Sequence, residues 1–96
     1  MRYFHRTQLS PDKVLVEADR YFGLHLEEIE RGERARRYNG SLGTVGVAVL
    51  PEGGHYVHIT VQTDQAGESE LDKLAKRFLG QVHKLVHPAY ELRGAY

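Results

Sequence analysis

Six histidines are the side chains of this sequence best suited to metal binding or acid–base chemistry. His83 and His87 lie four residues apart in a predicted helix, and this spacing places two imidazoles on one side where they can hold zinc. On a helical wheel both histidines face solvent, beside Asp72 and Lys76, and the sequence around them does not contain the HExxH pattern of zinc proteases. We expect solvated surface histidines here and no bound metal. A metal-dependent enzyme is the alternative that this pair leaves open.

Other catalytic patterns have little support in the sequence. The chain contains no cysteine, which excludes disulfides, thiolate metal sites and a cysteine nucleophile. Ser10 and Ser69 each precede a predicted helix as caps, and Ser41 lies in a turn. The glycine-rich segment 40–46 (GSLGTVG) is not followed by a helix, so it cannot place a phosphate on a helix N-terminus. We expect a protein that is not an enzyme and has no cofactor.

His58 belongs to a different pattern, in residues 43–63. Two strands alternate there around a Pro-Gly turn, and one face is apolar: Val45, Val47, Val49, Val57, Ile59 and Val61. The opposite face carries the candidate binding residues Gly46, Ala48, Tyr56, His58, Thr60 and Gln62. Pairing Val49 with Val57 and Val47 with Ile59 would set His58 opposite Ala48 and leave room above the sheet.

Three interpretations of this second face are open. It could be a half-solvated face of an antiparallel sheet, which is common. It could also be a self-association surface, or a site for a small apolar molecule. We expect a homodimer through this face.

The elements around this hairpin follow from local signals. Ser10-Pro11-Asp12 predicts a helix start, and Gly23 predicts its end in a left-handed conformation. An apolar stripe predicts the last helix, with Leu85 among its core positions. The predicted strands are 2–8, 24–30, 34–38 and the two halves of 43–63, with helices 11–22 and 69–86. The fold class is α+β in the order β-α-β-β-β-β-α, a mainly antiparallel sheet of four or five strands with both helices on one face.

The segment 24–38 predicts a hairpin with charged partners. A three-residue loop at Gly32 would set Glu28 opposite Arg36 and Glu30 opposite Arg34. Arg31, Arg34, Arg36 and Arg37 beside Tyr38 could bind nucleic acid. An ion-pair ladder at a solvated edge is the preferred interpretation.

Composition limits the class of protein. Ninety-six residues indicate one domain, which we assign to 1–88, with a loose tail over 89–96. Thirteen basic and thirteen acidic side chains balance, which argues against a nucleic-acid partner. No apolar run approaches a membrane span, and the N-terminus lacks the apolar core of a signal peptide. We therefore expect a soluble, cytoplasmic protein.

The predicted order of elements and two short stretches of this sequence resemble known families. The element order and the capped SPDKV start resemble half of a helix-grip domain of the START/polyketide-cyclase type, as in small polyhydroxyalkanoate-system regulators. The stretch 71–76 (LDKLAK) is similar to the last helix of ribosome hibernation factors, which implies a ribosome-associated alternative. Such factors would show basic helix faces, whereas this helix opens with Glu68, Glu70 and Asp72. A double-stranded-RNA-binding domain would likewise need basic residues there.

Overall fold

The computed structural model describes residues 1–86, and within them the predicted element order is confirmed. One five-stranded antiparallel sheet carries two helices on one face, so the fold class is α+β. The elements are β1 (Arg2–Thr7), α1 (Pro11–Phe22), β2 (Glu27–Arg31), β3 (Ala35–Gly40), β4 (Gly43–Pro51), β5 (Val57–Thr63) and α2 (Glu70–Val86).

The sheet order is β1-β5-β4-β3-β2. Strands β2 to β5 form a meander, and β1 returns to pair antiparallel with β5. The helix-covered face holds the valines and isoleucine of β4 and β5, all buried. Phe22 of α1 packs against Phe78 of α2 and Tyr38 of β3, with ring centroids 5.3 and 5.4 Å apart. The core therefore lies between the sheet and the helices.

Helix α1 begins and ends where the sequence predicts. The Ser10 hydroxyl accepts a hydrogen bond from the Lys13 N–H at 3.3 Å, and proline occupies the first turn. The prediction of a left-handed Gly23 is wrong, because its φ of −65° and ψ of −17° are right-handed. The chain keeps turning there, since the N–H groups of His25 and Leu26 both donate to the Phe22 carbonyl.

Two side chains of α2 differ from their predicted positions. Leu85, predicted in the core, is 43% exposed, whereas Asp72, predicted to face solvent, is fully buried. The Asp72 side chain reaches hydroxyl groups of β1 and β5, which supply the hydrogen bonds that a buried carboxylate needs. The helical wheel missed this because it ranks faces by apolar content alone.

The predicted pairing of β4 with β5 has the correct faces but is wrong in register by two residues. Val49 lies opposite Ile59 and Val47 opposite Val61, so His58 faces Leu50 rather than Ala48. Alternation determines which face a residue occupies but cannot distinguish registers that differ by two. The loop between the strands determines the register, because the Glu52 N–H donates to the Tyr56 carbonyl at 2.9 Å and Pro51 pairs with Val57.

The predicted register of the β2–β3 hairpin is also wrong. Glu28 lies opposite Tyr38, and Glu30 lies opposite Arg37, with an irregularity between Glu28 and Glu30. Strand β2 begins at Glu27 rather than at residue 24. The predicted acid–base ladder ignored the fact that Tyr38 must face the core, where its side chain is buried.

Candidate binding face

The sheet surface opposite the helices, called here the open face, is ordered in cross-strand rows. The first row contains Arg2, Gln62, Gly46, Arg37 and Glu30. The second row contains Phe4, Thr60, Ala48 and Ala35. The third row contains Arg6, His58 and Leu50. These rows result from the register, because residues paired on neighbouring strands point to the same side.

A shallow concavity of about 550 Å³ lies over the middle of the open face. Gly46, Ala48 and Ala35 form part of its lining, together with polar side chains that include Thr60 and Gln62. Four of the six predicted site residues therefore line one depression. Their small members on β4 account for its depth, because neither contributes a side chain larger than a methyl group.

The other two predicted residues, His58 and Tyr56, lie outside the lining of this concavity. The His58 ring packs against Phe4 with centroids 5.5 Å apart. Tyr56 precedes β5 rather than belonging to it, and Arg6 lies 5.6 Å from the centre of its ring. The prediction that placed Tyr56 within the second strand of the hairpin is therefore wrong, although its ring contacts Arg6 of the open face.

The prediction overlooked two large apolar side chains of the open face. Phe4 is 59% exposed and Leu50 is 65% exposed. Both could have been found by extending the alternation: Phe4 is out of phase with Tyr3 and His5, and Leu50 with the buried valines of β4. They make one end of the open face apolar and prominent beside the concavity.

The charges of the open face are largely paired within the chain. Arg6 Nε lies 2.9 Å from Glu52 Oε1, and Arg37 Nη1 lies 3.4 Å from Glu30 Oε1. Arg2 donates a hydrogen bond to the Gln62 side-chain oxygen at 3.2 Å. The face is therefore not a strip of unpaired cations of the kind that tracks a phosphate backbone.

Arg31 and Arg36 of the β2–β3 hairpin also lie against an acidic side chain. Asp19 of α1 lies 3.1 Å from Arg31 and 3.3 Å from Arg36 Nε, and it accepts a hydrogen bond of 2.7 Å from the Tyr38 hydroxyl. Burial, followed by this hydrogen bond, raises the pKa of Tyr38 above its usual value. Arg36 is itself buried and holds α1 against the sheet. This network has a structural role.

Only one histidine of the predicted pair, His83, lies within the described residues, because His87 lies outside them. The ring of His83 contacts that of His5 of β1, with centroids 6.1 Å apart. Burial, followed by the charge of His83, lowers the pKa of His5. Within residues 1–86, no group of three or more His, Cys, Asp or Glu side chains could hold a metal ion.

A buried polar cluster joins α2 to the sheet at its N-terminal end. Asp72 accepts hydrogen bonds from the hydroxyls of Tyr3 at 2.8 Å, Thr63 at 2.9 Å and Ser69 at 2.5 Å. Ser69 also accepts from the Asp72 N–H, which makes it the cap of α2 as predicted. Burial raises the pKa of Asp72, but these hydrogen bonds outweigh it and the resulting pKa is below the usual value.

Comparison with known proteins gives no family for the chain. No family model matches it, and the comparison with curated proteins finds no match. In the part of the chain that the structure describes, neither helix has the length and apolarity needed to cross a membrane.

Proposed function

We propose that this domain works by binding rather than by catalysis, and that its open face binds a second copy of the chain. The observation that carries the proposal is the exposure of Phe4 and Leu50 on a sheet face that no element within residues 1–86 covers. Exposed aromatic and aliphatic side chains beside a depression are typical of an interaction surface.

The size of the open face fits a dimer interface. Five strands about 4.8 Å apart and about 20 Å long present roughly 500 Å² before side-chain relief is added. Two such faces bury about 1,000 Å², which reaches the lower limit for a specific protein interface. A second copy is thus large enough to cover most of the face, whereas a small apolar ligand would leave Phe4 and Leu50 in solvent.

The charge of the open face also favours a second copy. Arg6 and Arg37 are paired with Glu52 and Glu30, and a third carboxylate, that of Asp64, lines the same concavity and balances Arg2. A neutral face with both signs can meet a copy of itself without repulsion, whereas a nucleic acid would need uncompensated cations. The ribosome-associated alternative therefore has less support.

Two finer assignments remain predictions. The helix-grip resemblance is supported by the sheet order, in which β1, the strand before α1, pairs with β5, the last strand of the meander. The cytoplasmic location is supported by the absence of cysteine.

Sedimentation velocity over a range of concentrations tests the proposal. The unmodified chain should shift from monomer to dimer, and Phe4→Glu should remain a monomer, because the interface would bury an unpaired charge. Leu24→Glu is the matched control: Leu24 is 82% exposed but lies in the turn after α1, away from the open face. It should behave as the unmodified chain does.

A chain that stays monomeric at the highest concentration would overturn the proposal. Equal dimerisation of Phe4→Glu and the unmodified chain would do the same. RNA binding that weakens steeply with salt would favour the ribosome-associated alternative instead.

A further inference from the structure

Two rows of the open face differ in side-chain size across the sheet. In the first row Gln62 of β5 lies beside Gly46 of β4, and in the second row β1 and β5 carry the large members and β4 and β3 the small ones. The second row is the clearest case, because Phe4 and Thr60 continue into Ala48 and Ala35. Phe4 stands 59% exposed at one end of this row, and the alanines line the concavity at the other.

We propose that two copies pair about a two-fold axis that runs parallel to the strands, between β5 and β4. This inference rests on the proposed function and specifies its geometry. An axis in this position places β1 of each copy over β3 of the other, and β5 over β4. Phe4 of each copy then lies on Ala35 of the other, with the two sheets about 10 Å apart and aligned as in sandwich packing.

Two further pairs of the interface are complementary in the same sense. Thr60 would face Ala48, and Gln62 would face Gly46, so a larger side chain meets a smaller one each time. In the third row, His58 would meet Leu50, which extends the apolar contact that His58 already makes with Phe4. Dense packing of this kind is what distinguishes a specific interface from a casual contact.

The alternative axis, perpendicular to the strands through the second row, is sterically worse. It would stack Phe4 on Phe4 and Ala35 on Ala35, which separates the sheets at one side and leaves a void at the other. Voids and collisions both cost stability in a packed interface. The parallel axis brings Arg2 toward Arg37 of the other copy, but Glu30 is bonded to that Arg37 and offsets the repulsion.

Cross-linking through single introduced cysteines tests the axis, because the natural chain has none. Phe4→Cys and Ala35→Cys chains are mixed and treated with a bis-maleimide that spans about 10 Å, the sheet separation expected here. The mixture should give a cross-linked dimer. Each variant alone should not, because equivalent residues of the two copies would be about 14 Å apart laterally in addition to that separation.

A second mixture keeps Phe4 in place in case its replacement weakens the dimer. Arg2→Cys with Arg37→Cys should cross-link at least tenfold faster than either variant alone, and Ser41→Cys, in the β3–β4 turn, gives the background rate. If Ala35→Cys or Phe4→Cys alone cross-links as fast as the mixture, the axis is wrong.

Failure of both mixtures to exceed the Ser41→Cys background would also overturn the arrangement. Sedimentation separates this result from failure of the proposed function: a dimer with the wrong cross-links refutes the axis alone, whereas a monomer refutes both.

Discussion

Replacement of Asp72 tests how α2 is held to the sheet. Asp72 is fully buried and accepts hydrogen bonds from three hydroxyls, two of them on the sheet residues Tyr3 and Thr63. Asp72→Ala would leave these hydroxyls without their partner and shorten the cap of α2. Of the three hydroxyls only that of Thr63 is buried, and leaving a buried hydroxyl without a partner costs about 1–3 kcal/mol, while loss of the carboxylate weakens the cap by about 1 kcal/mol. We expect the free energy of unfolding to fall by about 3 kcal/mol at pH 7.

Urea denaturation at pH 7 measures this change through the midpoint at constant slope. Asp72→Asn keeps the shape of the side chain and should lose about half as much, since the amide oxygen can still accept. Asp12→Asn is the control: Asp12 is an exposed carboxylate in the first turn of α1, and its replacement should cost about 0.5 kcal/mol. A loss below about 1 kcal/mol for Asp72→Ala would refute the structural role of the cluster.

The pH dependence gives a second test of the same cluster. The pKa of Asp72 is lower in the folded than in the unfolded chain, so its contribution is complete above the unfolded value of about 3.9 and is lost as the pH falls through the folded pKa. The difference in stability between the unmodified chain and Asp72→Asn should therefore narrow below about pH 4. A difference that stays constant there would contradict the assigned shift.

Three further perturbations have defined outcomes in the same assay. Tyr38→Phe removes a buried hydrogen bond to α1 and should cost about 1–2 kcal/mol, whereas the exposed Tyr56→Phe should change stability by under about 0.5 kcal/mol. Gly43→Ala should cost about 1–3 kcal/mol, because φ is +126° and the added Cβ would lie 2.6 Å from a carboxylate oxygen; Gly53→Ala, with open space around it, should be nearly neutral. His5→Gln should flatten the stability profile between about pH 7 and pH 5, because the lowered pKa of this half-buried imidazole makes the natural chain lose stability on acidification; an unchanged profile would contradict that shift.

Local sequence signals were sufficient to predict the elements and their order. Proline and serine marked the start of α1, and the apolar stripe marked α2 to within a residue of its ends. Alternation assigned the residues of β4 and β5 to the correct faces, so Gly46, Ala48, Thr60 and Gln62 were brought together as a candidate site. These features depend on residues close in sequence, and that is why they could be predicted.

The features that the sequence did not predict depend on contacts between distant residues. The register of β4 with β5 depends on a loop hydrogen bond, and the hairpin of β2 and β3 depends on the need to bury Tyr38. Asp72 is buried only because Tyr3 and Thr63 reach it from other elements. The pairing of β1 with β5, which sets Phe4 beside His58, is likewise not specified by local periodicity.

Small-angle X-ray scattering of the unmodified chain tests the central claim, that the open face binds a second copy, most directly. The chain has a radius of gyration of 13.2 Å and a shortest extent of 21 Å, the thickness expected of one sheet and one helix layer. Two copies joined by their open faces, with the sheets about 10 Å apart, should have a radius of about 20 Å at high concentration, whereas joining along a sheet edge would give about 23 Å or more. A rise to about 20 Å on concentration supports the account, and a value that stays near 13 Å or rises past about 22 Å would contradict it.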